Sequence, residues 1–331
     1  MVTMKRIAQL AGVSRAAVSA VVNDNYSGSI RVGKKTQEHI KSILLQTNYR
    51  PNAIGIALIS GKSSLIGLVV ENVSSSFIPE FIEAIEDEAE VRHYGIILVS
   101  TRGNPGREHD SLEFMLEKQV DGLILTSPNE MVENNIREQL SRRNIPVIHL
   151  SYLADNPLEK AGSVVVDPAS IGQIGLEHLL DLGHKHIVCA QFTGRLIRSA
   201  EEVSGKTDAI VEFWSDNTTI SDPMREIFNR WTNTKTQPTA FFINGDQQAI
   251  IFMNEAIRAG VRIPQDLSVI GIDDIPEASQ AIVPLTTVFQ PKYEQGQAAA
   301  RLLFSMLDGE KPKNVVLQPK LIVRDSTSKI S

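Results

Sequence analysis

From Leu65 onward the chain alternates short, β-rich apolar runs with amphipathic stretches of helical period, and few folds accept that order. Apolar runs at 65–73, 96–101, 122–126, 146–152, 163–166, 186–192, 209–214, 239–243 and 267–272 are separated by helical patterns at 78–91, 108–118, 132–143, 169–182, 224–231 and 247–259. A strand, a helix and a second strand build a parallel pair, because the crossover helix must pack back onto the sheet. Eight or more such strands predict an α/β body of two doubly wound lobes.

The first 63 residues follow another rule. They read as three short helices. The first covers about 4–10, with Ile7, Leu10 and Ala11 on one face. Ala11-Gly12-Val13 makes a turn, and Ser14 is a good N-cap for a helix over 15–22. Val18, Val21 and Val22 give that helix an inward face and leave Arg15, Ala16, Ser19 and Ala20 outward. Residues 23–33 are turn-rich, and a third helix is expected over 34–48 with Ile40, Ile43, Leu44 and Thr47 inward. Next, Pro51 could open a short helix that Gly61 closes. Such a segment is too short to stand alone, and Gly55 weakens it by about 1 kcal/mol relative to alanine. It is expected to be helical only when something holds it.

Net charge divides at the same place. The whole chain carries 33 Lys+Arg and 39 Asp+Glu, a formal −6. Residues 1–63 hold nine basic residues (Lys5, Arg6, Arg15, Arg31, Lys34, Lys35, Lys41, Arg50, Lys62) against Asp24 and Glu38, a net +7. The remainder therefore carries 24 basic and 37 acidic residues, a net −13. A basic module on an acidic body points to an anionic partner, nucleic acid or membrane, for the module alone. Several other classes fall away. No apolar run approaches the roughly 20 residues that span a bilayer, and the opening residues do not form the apolar core of a signal peptide. The one cysteine, Cys189, excludes an internal disulfide framework and a cysteine-based zinc cluster; its apolar neighbours predict a buried, inert thiol and a reducing cytoplasm.

The segment Lys5-Arg6-Ile7-Ala8-Gln9-Leu10-Ala11-Gly12-Val13-Ser14-Arg15-Ala16-Ala17-Val18-Ser19 resembles the helix-turn-helix of the LacI/GalR repressor family. The junction Tyr49-Arg50-Pro51-Asn52 and the hinge ending in Leu58 are similar too. So are Val120-Asp121-Gly122-Leu123-Ile124, Leu182-Gly183-His184, Gly271-Ile272-Asp273-Asp274-Ile275-Pro276, Pro284-Leu285-Thr286-Thr287-Val288 and Val323-Arg324-Asp325-Ser326-Thr327. The likeness implies a DNA-binding head, a hinge helix and a two-lobed body resembling the periplasmic-binding-protein fold, with a small-molecule cleft between the lobes.

For the head, a second helix set across the first enters a major groove about 12 Å wide. Arg15, at the exposed start of that helix, suits a bidentate pair with guanine. Ala16 and Ala20 match positions where the family places base-reading side chains, and here they offer only apolar contact. Ser14, Ser19, Asn23, Lys5, Arg31, Lys34 and Lys35 are expected to hold phosphates, which position without specifying. The resemblance implies that Leu58 wedges into the minor groove, with Asn52 and Ala53 along its floor. It also implies effector contacts at Phe77, Ile78, Ser151 and Asp246, and a basic contact from Arg195 or Arg198. Ser151 stands where an aspartate is common, and Gly245 where an asparagine is common. Between Gly194 and Asp246 the spacing is several helical turns shorter than the family pattern, so the cleft is either modified or given up.

Catalytic readings find little. His178, His184 and His186 lie on a helix and a strand that point apart, and Asp273 and Asp274 are strand neighbours facing opposite ways. No phosphate-binding glycine loop or nucleophile motif occurs. The sequence thus predicts a homodimeric DNA-binding repressor, no enzyme, without cofactor or metal and without a membrane partner, reading a pseudopalindromic operator under a sugar-like effector. Its expected organisation is a head at 1–50, a hinge at 51–63 and a body at 64–331. Lobe one takes about 64–162 and 290–318; lobe two takes about 163–289 and 319–331. Two other readings stand beside it: a DNA-binding regulator whose effector site is lost or answers to a protein partner, and a cytoplasmic carbohydrate-binding protein or enzyme.

Overall fold

The computed structural model describes residues 2–22, 31–49, 61–126, 134–153, 158–215 and 223–330. The chain divides after Ser64 into two compact units. In the first, α1 (Met4–Ala11), α2 (Arg15–Val22) and α3 (Lys34–Gln46) enclose a small core of Ile7, Ala8, Val18, Val21, Ile40 and Ile43. Local chemistry sets their ends. The Thr3 hydroxyl accepts the Arg6 N–H at 3.3 Å to open α1. Gly12 closes it at φ 64°, left-handed backbone that glycine enters without Cβ strain. Ser14 Oγ accepts the Ala17 N–H at 3.1 Å to start α2. Leu10, expected inward, is 45% exposed; Ala8 takes that place because α1 turns its buried stripe toward Ile7 and Ala8.

The second unit holds two six-stranded sheets. The first has the order β11-β5-β4-β3-β1-β2, from β1 (Leu65–Val70), β2 (Gly95–Ser100), β3 (Gly122–Leu125), β4 (Val147–Leu150), β5 (Ala161–Val166) and β11 (Asn314–Leu317). The second has the order β12-β10-β9-β8-β6-β7, from β6 (His186–Ala190), β7 (Ile210–Trp214), β8 (Ala240–Ile243), β9 (Ser268–Asp273), β10 (Thr286–Phe289) and β12 (Lys320–Ile322). The pairs are parallel except β10–β12, which is antiparallel.

Each sheet is buried on both faces, which explains continuous runs such as Leu65-Ile66-Gly67-Leu68-Val69-Val70. On the first sheet, Ile66, Leu68, Ile124 and Ile148 pack with α4 (Pro79–Val91) and α12 (Lys292–Leu307). Val69, Leu123 and Val147 pack with α5 (Pro105–Glu117) and α6 (Asn134–Arg142). On the second, Ile187, Cys189 and Phe242 meet α7 (Pro168–Asp181) and α8 (Gly194–Ser204). Val188, Phe241 and Val269 meet α9 (Pro223–Asn233) and α10 (Asp246–Arg258); a short α11 (Pro276–Gln280) follows β9.

One expectation changes. The lobe boundary at 162/163 falls inside β5, whose residues pair with β4 on one side and β11 on the other, so the chain changes lobe after Val166. It returns between Phe289 and Lys292 and crosses again between Leu317 and Lys320. The stretch after Gly194, although short, carries a helix, a strand and a helix in α8, β7 and α9.

Candidate DNA-reading face and inter-lobe cleft

On α2, burial of Val18 and Val21 against the other two helices fixes which side faces out. Arg15 and Ala16 are exposed, and Ser19 and Ala20 are half-buried on the same side. Ser14 is exposed, its oxygen occupied by the cap and its hydroxyl proton available to an acceptor. Lys5, Arg31, Lys34 and Lys35 are exposed in the same unit, as is Arg6, which sequence reasoning counted only as charge. One guanidinium therefore stands at the start of an outward surface of small side chains. Asn23, Asn52, Ala53 and Leu58 lie outside the described residues, with the hinge from 51 to 60.

In the body, the strand ends of the two sheets carry most of the predicted cleft residues, where ligands gather in α/β folds. Phe77 is half-buried, edge-on to Phe81 at 5.0 Å between ring centroids. Ile78, expected to face a ligand, is 5% exposed and packs into the core of its lobe. Ser151 is exposed at φ 71°, and its hydroxyl donates to Gln295 Oε1 at 3.3 Å. Gln295 is fully buried and its Nε2 has no partner. Arg198 and Arg195 are both exposed on α8, whose buried residues are Ser199, Ala200 and Val203.

Asp246 departs furthest from expectation. It is the first residue of α10, after Gly245 at φ 95°, so it does not cap a helix beginning at Gln247. Its side chain is fully buried; one oxygen accepts the Thr287 hydroxyl at 2.6 Å and the other the Ile275 N–H at 3.0 Å. Burial pushes this carboxyl up to about 7. Gly271 makes the arrangement possible, because a Cβ there would overlap the Asp246 carboxylate. Asp246 thus staples α10 to β10 and the loop after β9.

Asp274 lies beyond β9 and both aspartates have positive φ, so the expected strand alternation does not apply; they still take separate partners, Gln290 Nε2 donating to Asp273 at 2.8 Å and Arg324 to Asp274 at 2.6 Å. Between the lobes lies a residue that sequence reasoning missed. Lys292, at the start of α12, is fully buried; Nζ donates to the Asp273 carbonyl at 2.6 Å and the Asp274 carbonyl at 3.3 Å. Glu80 Oε1 lies 3.3 Å from the same nitrogen. Its signal was the lone cation in Phe289-Gln290-Pro291-Lys292, at the end of an apolar strand. On the rim, Ser76 Oγ donates to Glu277 at 2.9 Å. His178, His184 and His186 bond separately to Thr327, Thr239 and Glu212, and among the described residues no group of metal ligands assembles.

Comparison with known proteins agrees with both halves. Residues 3–52 match the bacterial regulatory proteins of the lacI family, and residues 176–327 match a periplasmic binding protein-like domain. The chain is 30% identical over 348 residues to the HTH-type transcriptional repressor PurR of Vibrio vulnificus (strain CMCP6), covering 100% of each. Its fold matches a lac repressor dimer bound to operator and the anti-inducer ONPF, with a TM-score of 0.85, 24% identity and 99% coverage of each chain. It also matches a CelR–cellobiose complex, with a TM-score of 0.69, 24% identity, and coverage of 98% of this chain and 100% of that one.

Proposed function

The chain belongs to the LacI family of transcriptional regulators, and on that premise we propose that it is a dimeric repressor whose operator choice rests mainly on Arg15. The observation that carries this reading is the outward face of α2, where an exposed arginine is followed by Ala16 and Ala20. Arginine is the side chain suited to guanine, and the alanines offer a surface for a thymine methyl. Ser14, Ser19, Lys5, Arg31 and Lys34 hold phosphates, and the hinge positions Asn52, Ala53 and Leu58 enter the minor groove. Asn23 joins the phosphate contacts.

Two heads per dimer read two half-sites, so the operator is pseudopalindromic. Apolar side chains at Val91 (77% exposed), Leu98 (40%) on edge strand β2 and Phe114 (39%) support a self-association face on the first lobe. The effector is a small polyhydroxyl compound, held by Phe77, Ser151 and the polar groups at the strand ends, as the sugar-bound relative CelR suggests. Its binding changes the angle between the lobes and so the spacing of the paired hinges. No catalytic step is part of this reading.

Selection of bound sites from random duplexes tests it. A two-fold symmetric consensus with a guanine in each half-site is expected. Equal affinity for the selected site and its scrambled counterpart would sink the proposal.

A further inference from the structure

The junction between the lobes is organised around one nitrogen. Lys292 belongs to α12, which packs on the first lobe so closely that a Cβ at Gly296 would lie 2.9 Å from the Phe81 carbonyl oxygen. Its ammonium has three protons and three acceptors. Two are the carbonyls of Asp273 and Asp274, at the end of β9 in the second lobe; the third is Glu80 on α4 in the first. The Phe77 ring centroid, from the first lobe, lies 6.0 Å from Nζ, and that of Phe289, from the second, 5.6 Å. A carboxylate, two carbonyls and two aromatic rings are the chemistry by which proteins recognise a primary ammonium ion.

The second lobe is shaped for that recognition. Asp273 and Asp274 are consecutive non-glycine residues at φ 119° and 53°, a backbone conformation kept only where surrounding contacts impose it. Gln290 and Arg324 engage their carboxylates, so the main-chain carbonyls meet the ammonium. Ser76 and Glu277 make a second bond across the same gap.

We propose that this junction is an ammonium-binding cradle occupied by the chain's own Lys292, and that the lysine clasps the two lobes in the arrangement the structure holds. The protein thereby carries an internal ligand at the lobe interface. The ligand class that fits the cradle once the lysine is shortened is a primary alkylammonium. Because the clasp lies wholly within the body, it stands independently of the operator reading.

Lys292→Ala and Lys292→Met in the full chain test it. Limited proteolysis at the three lobe crossings, near Asp167, Pro291 and Pro319, reads the clasp; operator affinity is measured on the same samples, so clasp failure and DNA-binding failure separate. Cleavage is expected to rise at least about tenfold in both variants, the lower end for losing a charge-assisted bond. In Lys292→Ala, n-propylammonium should restore protection and n-propanol should not. Wild-type protection in Lys292→Met overturns the proposal, as does equal rescue by propanol, which would mean that volume alone matters. Loss of cooperative folding in both variants, unrelieved by propylammonium, overturns it in favour of a general folding role.

Discussion

Arg15 occupies the first position of α2, where a side chain projects beyond the end of the helix, and its neighbours on that face are alanines. A bidentate arginine–guanine pair contributes about 1–3 kcal/mol of discrimination, about 5- to 150-fold. Arg15→Ala is therefore expected to lose that factor at one base pair per half-site while salt-sensitive nonspecific binding persists. Competition titrations against operator and scrambled duplexes measure it; equal losses on both would assign Arg15 to phosphate. The residues carrying this prediction were legible from the chain alone, because capping by Thr3 and Ser14 and the turn at Gly12 act over three or four residues. Asp246 was not. Its position after a strand suggested a ligand contact or a cap, and only the approach of Thr287 and Ile275, 41 and 29 residues away, turned it inward.

Among the elements, α12 and α4 approach each other closely, backbone to backbone. Gly296 faces the Phe81 carbonyl and, at 3.0 Å, the Ala84 Cβ. Alanine at a helix interior normally gains about 1 kcal/mol over glycine, whereas forcing atoms into a packed contact costs about 1–3 kcal/mol. Crowding wins where the neighbour is main chain, so Gly296→Ala should lower stability by about 1 kcal/mol or more, read by urea unfolding. A gain equal to the helix preference would show that α12 shifts without penalty. Helix α8 was not singled out from the sequence, although Leu196, Ile197, Ala200 and Val203 recur at helical spacing and pack on the second sheet. Strand β12 has three residues and finds its antiparallel partner in β10, more than 30 residues earlier, so no local pattern marks it.

For the whole molecule, burial makes stability respond to pH. The Asp246 carboxyl is held up at about 7, and burial together with the charge of Asp246 holds Asp273 at about 8, whereas unfolded aspartates titrate near 3.8. Between those values the folded state keeps protons that the unfolded state releases, so each group's contribution declines as pH rises toward its folded value. His149 works in the opposite sense. Burial lowers it to about 4 from 6.5, so its contribution is lost as pH falls through that interval. The melting temperature of the body should therefore fall between about pH 6.5 and 8, and Asp246→Asn should make that fall shallower. Thermal unfolding across this range checks it; a flat wild-type profile would remove Asp246 and Asp273 as the cause.

The chain's pattern was enough for the α/β body, the three-helix head and the outward face of α2, because strand runs, helical periods and caps depend on neighbours in sequence. It placed the change of lobe four residues early, since β5 reads as a strand but its sheet is chosen by β4 and β11. The cleft needed the assembled molecule. Ser151 meets Gln295 across 144 residues, and Lys292 meets Glu80 across more than 200. Burial and charge at such a junction depend on what the other lobe brings there, and that information is nonlocal.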